Sequence, residues 1–328
     1  MKRINNLFEN FISFDNILLA YKNAFKGTNK NRETLSFHFN CENEIIKLIE
    51  ELKTGSYKPS PYRKFIITDP KERIISVAPF RDRVIHHSLV NIIEPIFEKR
   101  FYFHSYACRK DKGVHKAVKQ AQTYLKTNKW YFKSDISKYF ASVDHQILFD
   151  ILKSKIKDKE ILDLLYKIII NGDDTGKSLP IGNLTSQFFA NVYLDILDHF
   201  VKEELQVKAY VRYMDDFVLF DNDKEKLKLL KQKISGFIHN RLALSLKEKS
   251  TFLNQRLNGL NFLGRRIFPV TIRIKRENLK RCLKKLESRE KEYQNGVIDD
   301  KQYVQSVNSL MGYIASGNTY CMRQSIEI

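Results

Sequence analysis

Residues 209–220, AYVRYMDDFVLF, constrain the fold more tightly than any other stretch of this chain. Two runs of strand-forming residues flank the adjacent acids Asp215 and Asp216, so the segment reads as strand, tight turn and second strand. Side-by-side carboxylates repel, and a strand environment disfavours aspartate. Two readings follow: a cation compensates the pair, or the pair is an ordinary polar hairpin tip, where acids are common. The 328 residues include 57 Lys and Arg against 38 Asp and Glu, a formal net charge of +19. That excess points to a polyanion partner, nucleic acid before membrane, and weights the first reading.

Upstream, KWYFKSDIS reads as a short strand ending at Asp135. If it lies beside the hairpin, three acids meet at one sheet end, and they cannot all stay ionised in a partly buried site without compensation. Mg²⁺ supplies it, since carboxylate oxygens suit a hard cation that also binds phosphates. Two such ions about 4 Å apart can activate an attacking hydroxyl and stabilise a leaving oxygen in phosphoryl transfer. Mn²⁺ is the expected substitute.

The remaining sequence supports a sizeable core, with 43% hydrophobic residues and 12% aromatics. Ile4, Leu7, Phe8, Phe11 and Ile12 follow helical spacing and predict one amphipathic N-terminal helix rather than a signal segment. A helix is expected across residues 30–54 with Gly55 as its C-cap. Residues 62–78 predict a hairpin turning at Asp69-Pro70, followed by a helix over residues 81–100. DHQILFDILKSKI resumes helical spacing, and residues 184–205 predict a long helix with Phe188, Val192, Ile196 and Phe200 on one side. From residue 265 the composition shifts: nine Lys or Arg and one acid, Glu277, fall within residues 265–285, which places an expected boundary there. Cys41, Cys108, Cys282 and Cys321 are scattered and form no CxxC pair, which fits reduced thiols in a cytoplasmic protein. No apolar run approaches membrane-spanning length, so no membrane partner is expected.

These motifs resemble those of reverse transcriptases. YMDD (213–216) is that family's signature; FKSDISKYFASVDH (132–145) and LPIGNLTSQ (179–187) are similar to its first two palm motifs. The FLG of NFLGRRI (261–267) resembles the primer grip, and residues 71–110 resemble the fingers block of bacterial and group II intron enzymes. The resemblance implies an α+β right-hand polymerase with fingers, a ferredoxin-like palm and a helical thumb. The expected division is an N-terminal helical extension (1–54), fingers with part of the palm (55–130), palm (131–264) and basic thumb (265–328).

The resemblance also implies roles. Asp135, Asp215 and Asp216 are the catalytic acids and, with the backbone carbonyl of Ile136, the ligands of two Mg²⁺ ions. Phe140 takes the steric-gate position that favours dNTP over rNTP. Arg73 matches the arginine that clamps the triphosphate, its planar fork suiting phosphate oxygens, with Lys71 or Lys64 assisting. Ile181, Gly182 and Gln187 belong with the nucleotide site. Arg109, Lys112, Tyr213, Met214, Leu263, Gly264, Arg273 and Lys280 belong with template and primer, while Lys249 is a weaker candidate for protonating pyrophosphate. Surface solvation is an equal reading for Arg109 and Lys112.

Most reverse transcriptases carry Gln where Ile181 stands between Pro180 and Gly182. The PIGNLTSQ form resembles the enzymes of diversity-generating retroelements, which copy a template RNA with frequent errors opposite adenine in mutagenic retrohoming. An aliphatic side chain there offers no hydrogen bond to the nascent base pair. The resemblance implies template RNA, a cDNA or DNA primer and dNTPs as partners, together with a small basic pentameric accessory protein. Three alternatives stay open: another prokaryotic reverse transcriptase of phage-defence or group II intron type, an inactive RNA-binding relic, and an RNA-dependent RNA polymerase.

Overall fold

The computed structural model describes residues 3–28, 30–68, 71–171 and 175–324. The chain folds into two compact units: Met1–Phe103 with Ile136–Gln206 and Lys233–Lys247, and His104–Asp135 with Val207–Gln232 and Glu248–Ile328.

The first unit is mainly helical. Its N-terminus is two helices, Phe8–Phe11 and Phe14–Phe25, where the spacing predicted one. Ser13 makes the break by taking an extended backbone and accepting a hydrogen bond from the Asn16 amide. The helix expected over 30–54 is likewise split into Arg32–Phe39 and Cys41–Lys53 at Asn40, with Gly55 left-handed just beyond. Helix Phe80–Glu98 packs against Phe14–Phe25 and buries Val84, Ile85, Leu89 and Ile93. Asn16 Nδ2 ties the pair, donating to the Ser88 hydroxyl at 2.8 Å and the Phe11 carbonyl at 2.9 Å. Helix Leu184–His199 is buried nearly all round, not on the one side predicted, and runs into a π-helical turn, Phe200–Glu204. Such a helix carries no amphipathic stripe to read. The expected hairpin is present: β1 (Arg63–Ile67) and β2 (Arg73–Val77) pair antiparallel, Arg63 opposite Val77. Its expected turn residues, Asp69 and Pro70, lie outside the described residues.

The second unit holds two sheets. β3 (Trp130–Ser134), β4 (Ala209–Tyr213), β5 (Asp216–Asp221) and β6 (Phe252–Gln255) form an antiparallel sheet in the order β4-β5-β3-β6. Numbered along the chain this is 2-3-1-4, the ferredoxin-like order. β7 (Leu260–Phe262), β8 (Arg265–Ile267) and β9 (Ile272–Ile274) form a three-stranded meander. Helix Val114–Thr127 presents Ala117, Val118, Ala121 and Leu125 to both sheets, against Val211, Val218, Phe220 and Phe262. Each large apolar side chain so buried contributes about 1.5–3 kcal/mol. Residue 265, where the composition shifts, opens the middle strand of the meander. Helices Arg276–Gln294 and Asp300–Ala315 follow, joined through Cys282, Leu283, Leu310 and Ile314, and Asp299 with Gln302 caps the second. Cys41, Cys108 and Cys282 are free thiols, while the Cys321 side chain lies outside the described ones.

Candidate active site

In the second unit, strand register brings the acids together. Ser134 pairs with Phe217 and Tyr213 with Asp216, so Asp135, one step past β3, arrives beside the two-residue turn Met214–Asp215. Met214 is left-handed at φ 55°, and Arg212 Nη1 donates to its carbonyl at 3.1 Å. Arg212 is fully buried, so the turn is held from within the fold rather than from solvent.

The three carboxylates are not equivalent. Asp215 and Asp135 are in hydrogen-bond contact, and burial first, then the Asp135 charge, raises the Asp215 pKa. A carboxylate whose charge is disfavoured by burial and by a second acid beside it is the kind of oxygen donor a divalent cation neutralises, so the site chemistry fits such an ion. Asp216 also has a cation beside it: Lys133 Nζ lies 2.7 Å from its Oδ1. Burial, helped by the Asp135 charge, lifts the Asp216 pKa to about 6 against the opposing pull of Lys133 and Lys275. Among the described residues no three His, Cys, Asp or Glu side chains gather into one ligand set. The structure thus brings Asp135 to Asp215 and gives Asp216 a lysine.

The first unit contains a cleft of about 630 Å³ whose walls include Lys64, Arg73, Phe140 and Ile181. That volume suits a small-molecule ligand. Arg73 opens β2, and Phe140 lies half-buried in the short helix Tyr139–Ser142. The Ile181 carbonyl accepts the Ser76 amide at 2.7 Å, which fixes the cleft wall to the hairpin. Gly182 is required beside it: at φ +122° a Cβ would lie 2.9 Å from the Ser76 carbonyl oxygen. Asn183 completes the seam, accepting the Ala78 amide and donating to the Ser76 carbonyl, both at 3.0 Å. Gln187 is exposed on helix Leu184–His199 and Lys71 is exposed before β2; neither lines the cleft. Ile136 is buried and bridges Leu246.

The other anticipated residues are spread through the second unit. Arg109 Nη1 donates to the Ser105 carbonyl at 2.7 Å, and Lys112 sits 5.4 Å from the Tyr106 ring centre. Tyr213 is half-buried at the end of β4. Leu263 and Gly264, at φ 48° and 79°, form the turn between β7 and β8. A Cβ on Gly264 would meet Asn278 Nδ2 at 2.8 Å. Arg273 stacks on Phe268, 5.3 Å from its centre, while Lys280 and Lys249 are exposed. Sequence reasoning missed Arg212 and Lys133. A signal existed for Lys133: two residues before Asp135 in a strand, it must share that residue's face.

The family model described as reverse transcriptase (RNA-dependent DNA polymerase) matches residues 60–267, more than half of the chain. The group II intron-encoded protein LtrA of Lactococcus lactis is 27% identical over 295 residues, covering 68% of this chain and 49% of that protein. Protein YkfC of Escherichia coli is 27% identical over 283 residues, covering 72% of this chain and 74% of its own length. The chain therefore spans about half the length of the Lactococcus relative. Apo telomerase from Candida tropicalis, truncated from its C-terminal domain, superposes with a TM-score of 0.51 at 13% identity, over 69% of this chain and 59% of that one. The likeness is one of fold.

Proposed function

Because this chain belongs to the reverse transcriptase (RNA-dependent DNA polymerase) family, we propose that it is an RNA-directed DNA polymerase of the diversity-generating retroelement type, copying a template RNA into cDNA with frequent errors opposite adenine. The observation that carries polymerisation is the Asp135–Asp215 carboxyl pair at the sheet end. Those two residues would hold the divalent ions that, when bound, neutralise charge as the primer 3′-hydroxyl attacks the α-phosphate of a dNTP and pyrophosphate leaves. Magnesium is the proposed ion, with manganese as substitute.

The cleft residues take the substrate. Arg73 and Lys64 offer donors to the triphosphate oxygens, Arg73 through a planar fork. Phe140 presents its ring to the sugar and leaves no room for a 2′-hydroxyl. Ile181 meets the nascent base pair without a polar group, so discrimination rests on shape and pairing. In this reading residues 55–130 serve as fingers, 131–264 as palm and 265–328 as a thumb along the duplex. Template RNA, primer and a small basic pentameric accessory protein are the proposed partners.

The test is cDNA sequencing on a defined RNA. Ile181→Gln restores one hydrogen-bonding group, so adenine-specific errors are expected to fall by about 3–10-fold. Unchanged adenine errors would remove the retroelement assignment, and primer extension by Asp215→Asn at the wild-type rate would remove the polymerase. A group II intron-type enzyme is the second reading, favoured by the LtrA relative. It expects wild-type errors opposite adenine no more frequent than opposite the other bases.

A further inference from the structure

We propose that His145 is a positioning residue of the nucleotide cleft: by holding the Ser178 carbonyl it fixes the strap of residues 176–181 against Phe140, and so sets how sharply the cleft separates a dNTP from an rNTP. This rests on the polymerase reading, in which Phe140 meets the sugar and Ile181 the nascent base pair, and it adds a residue that reading leaves unused.

His145 opens helix His145–Lys153 and is only 5% exposed. Its Nε2 lies 2.7 Å from the Ser178 carbonyl oxygen. A carbonyl can only accept, so that nitrogen carries the ring proton and donates it. Nδ1 has no hydrogen-bond partner among the described residues, which leaves the bond to Ser178 as the ring's polar tie. Ser178 is the part of the strap that needs holding. It sits at φ 91°, a left-handed conformation that favours glycine, and such a backbone persists only where its surroundings over-determine it. The Ser178 amide donates to the Val143 carbonyl at 2.8 Å, and the His145 amide to the Gly176 carbonyl at 3.0 Å. Any side chain at 145 permits those two main-chain bonds. The clamp on the Ser178 carbonyl is different, because it needs a donor of the right reach.

The strap passes that restraint to the substrate side. The Leu179 amide donates to the Phe140 carbonyl at 2.6 Å, and the Ile181 carbonyl accepts the Ser76 amide at 2.7 Å. Phe140, Ser178 and Ile181 line the same cleft. A ring excludes a 2′-hydroxyl only while it is held to within about 0.5 Å of its place. Relaxation at Ser178 shifts the Leu179 amide, and with it the backbone that carries the Phe140 ring.

The full chain is assayed by single-nucleotide extension of a primed RNA, with dNTP and separately with rNTP. His145→Phe keeps a ring and removes the donor. It is expected to lower the dNTP-over-rNTP ratio of kcat/KM about tenfold and to raise the dNTP KM about fivefold, with kcat for dNTP within about twofold of wild type. His145→Gln, whose Nε2 reaches the same carbonyl, is expected to stay within about twofold of wild type throughout. His145→Asn is too short to reach and should reproduce the loss; it decides if His145→Phe does not fold, as judged by circular dichroism. A folded His145→Phe or His145→Asn that loses dNTP and rNTP activity equally, with the ratio unchanged, overturns the proposal. So does a His145→Gln as unselective as His145→Phe. If neither His145→Phe nor His145→Asn folds, the residue serves the fold and not the cleft, and the proposal is again wrong. A wild-type chain that extends the primer with neither nucleotide removes the polymerase reading instead, an outcome distinct from all of these.

Discussion

His86 is fully buried in helix Phe80–Glu98, and its Nε2 has no hydrogen-bond partner among the described residues. Asp82, one turn earlier, is already occupied by the Tyr57 hydroxyl and the Ser60 amide, each at 2.8 Å. Burial therefore lowers the His86 pKa to about 4, against the weaker opposing pull of Asp82. The folded chain resists a proton that the unfolded chain accepts near pH 6.5, so stability is complete above that pH and declines as pH falls towards 4. The loss attributable to this one ring is about 3 kcal/mol. Chemical denaturation of wild type and His86→Leu between pH 7 and 4 is expected to show wild type losing that much stability relative to the variant as pH falls. Parallel curves would mean that the imidazole already finds a partner when charged.

At the scale of elements, Asp158 joins two pieces of the first unit with one side chain. Its Oδ1 caps helix Lys159–Ile170 by accepting the Ile161 amide at 3.3 Å, and its Oδ2 accepts the amides of Leu7 and Phe8 at 2.7 and 3.0 Å. Asp158→Ala removes a cap and strands two amides near the core, an expected cost of about 3 kcal/mol in urea denaturation. Hydrogen exchange should accelerate at Leu7 and Phe8 as well as in the helix; acceleration in the helix alone would show that the N-terminal tie carries no load. This tie was invisible in the sequence because it spans 150 residues. The hairpin at 209–220 and the strand before Asp135 were legible because alternation and a tight acidic turn admit few alternatives. The breaks at Ser13 and Asn40 were overlooked because apolar spacing continued across them while local side-chain and backbone geometry decided otherwise. The meander β7–β9 escaped notice because three-residue strands carry too little alternation to read. Among site residues, acids announce themselves by their strand context, whereas Arg212 looks like any charged residue until burial and its bond to Met214 are known.

For the whole molecule, charge makes the most general prediction. A net +19, with seven of the basic residues between Arg273 and Lys285, should make grip on a primed template depend on phosphates. If roughly five phosphates are neutralised, affinity should fall by about 10²–10³-fold between 50 and 200 mM salt, measured by fluorescence anisotropy. A flat response would contradict a phosphate-dominated grip. No helix among the described residues is long and apolar enough to cross a membrane.

The Gly264 carbonyl accepts both the Lys275 amide and Asn278 Nδ2, each at 3.2 Å. A single oxygen thus moors the tip of the β7–β8 hairpin to the first turn of helix Arg276–Gln294, and the two behave as one lever: a tilt of the long arm is felt at the short one. Strain imposed on the basic helix reaches Leu263 and Gly264 without any intermediary, and a side chain that wedged the two apart would leave each element intact yet uncoupled.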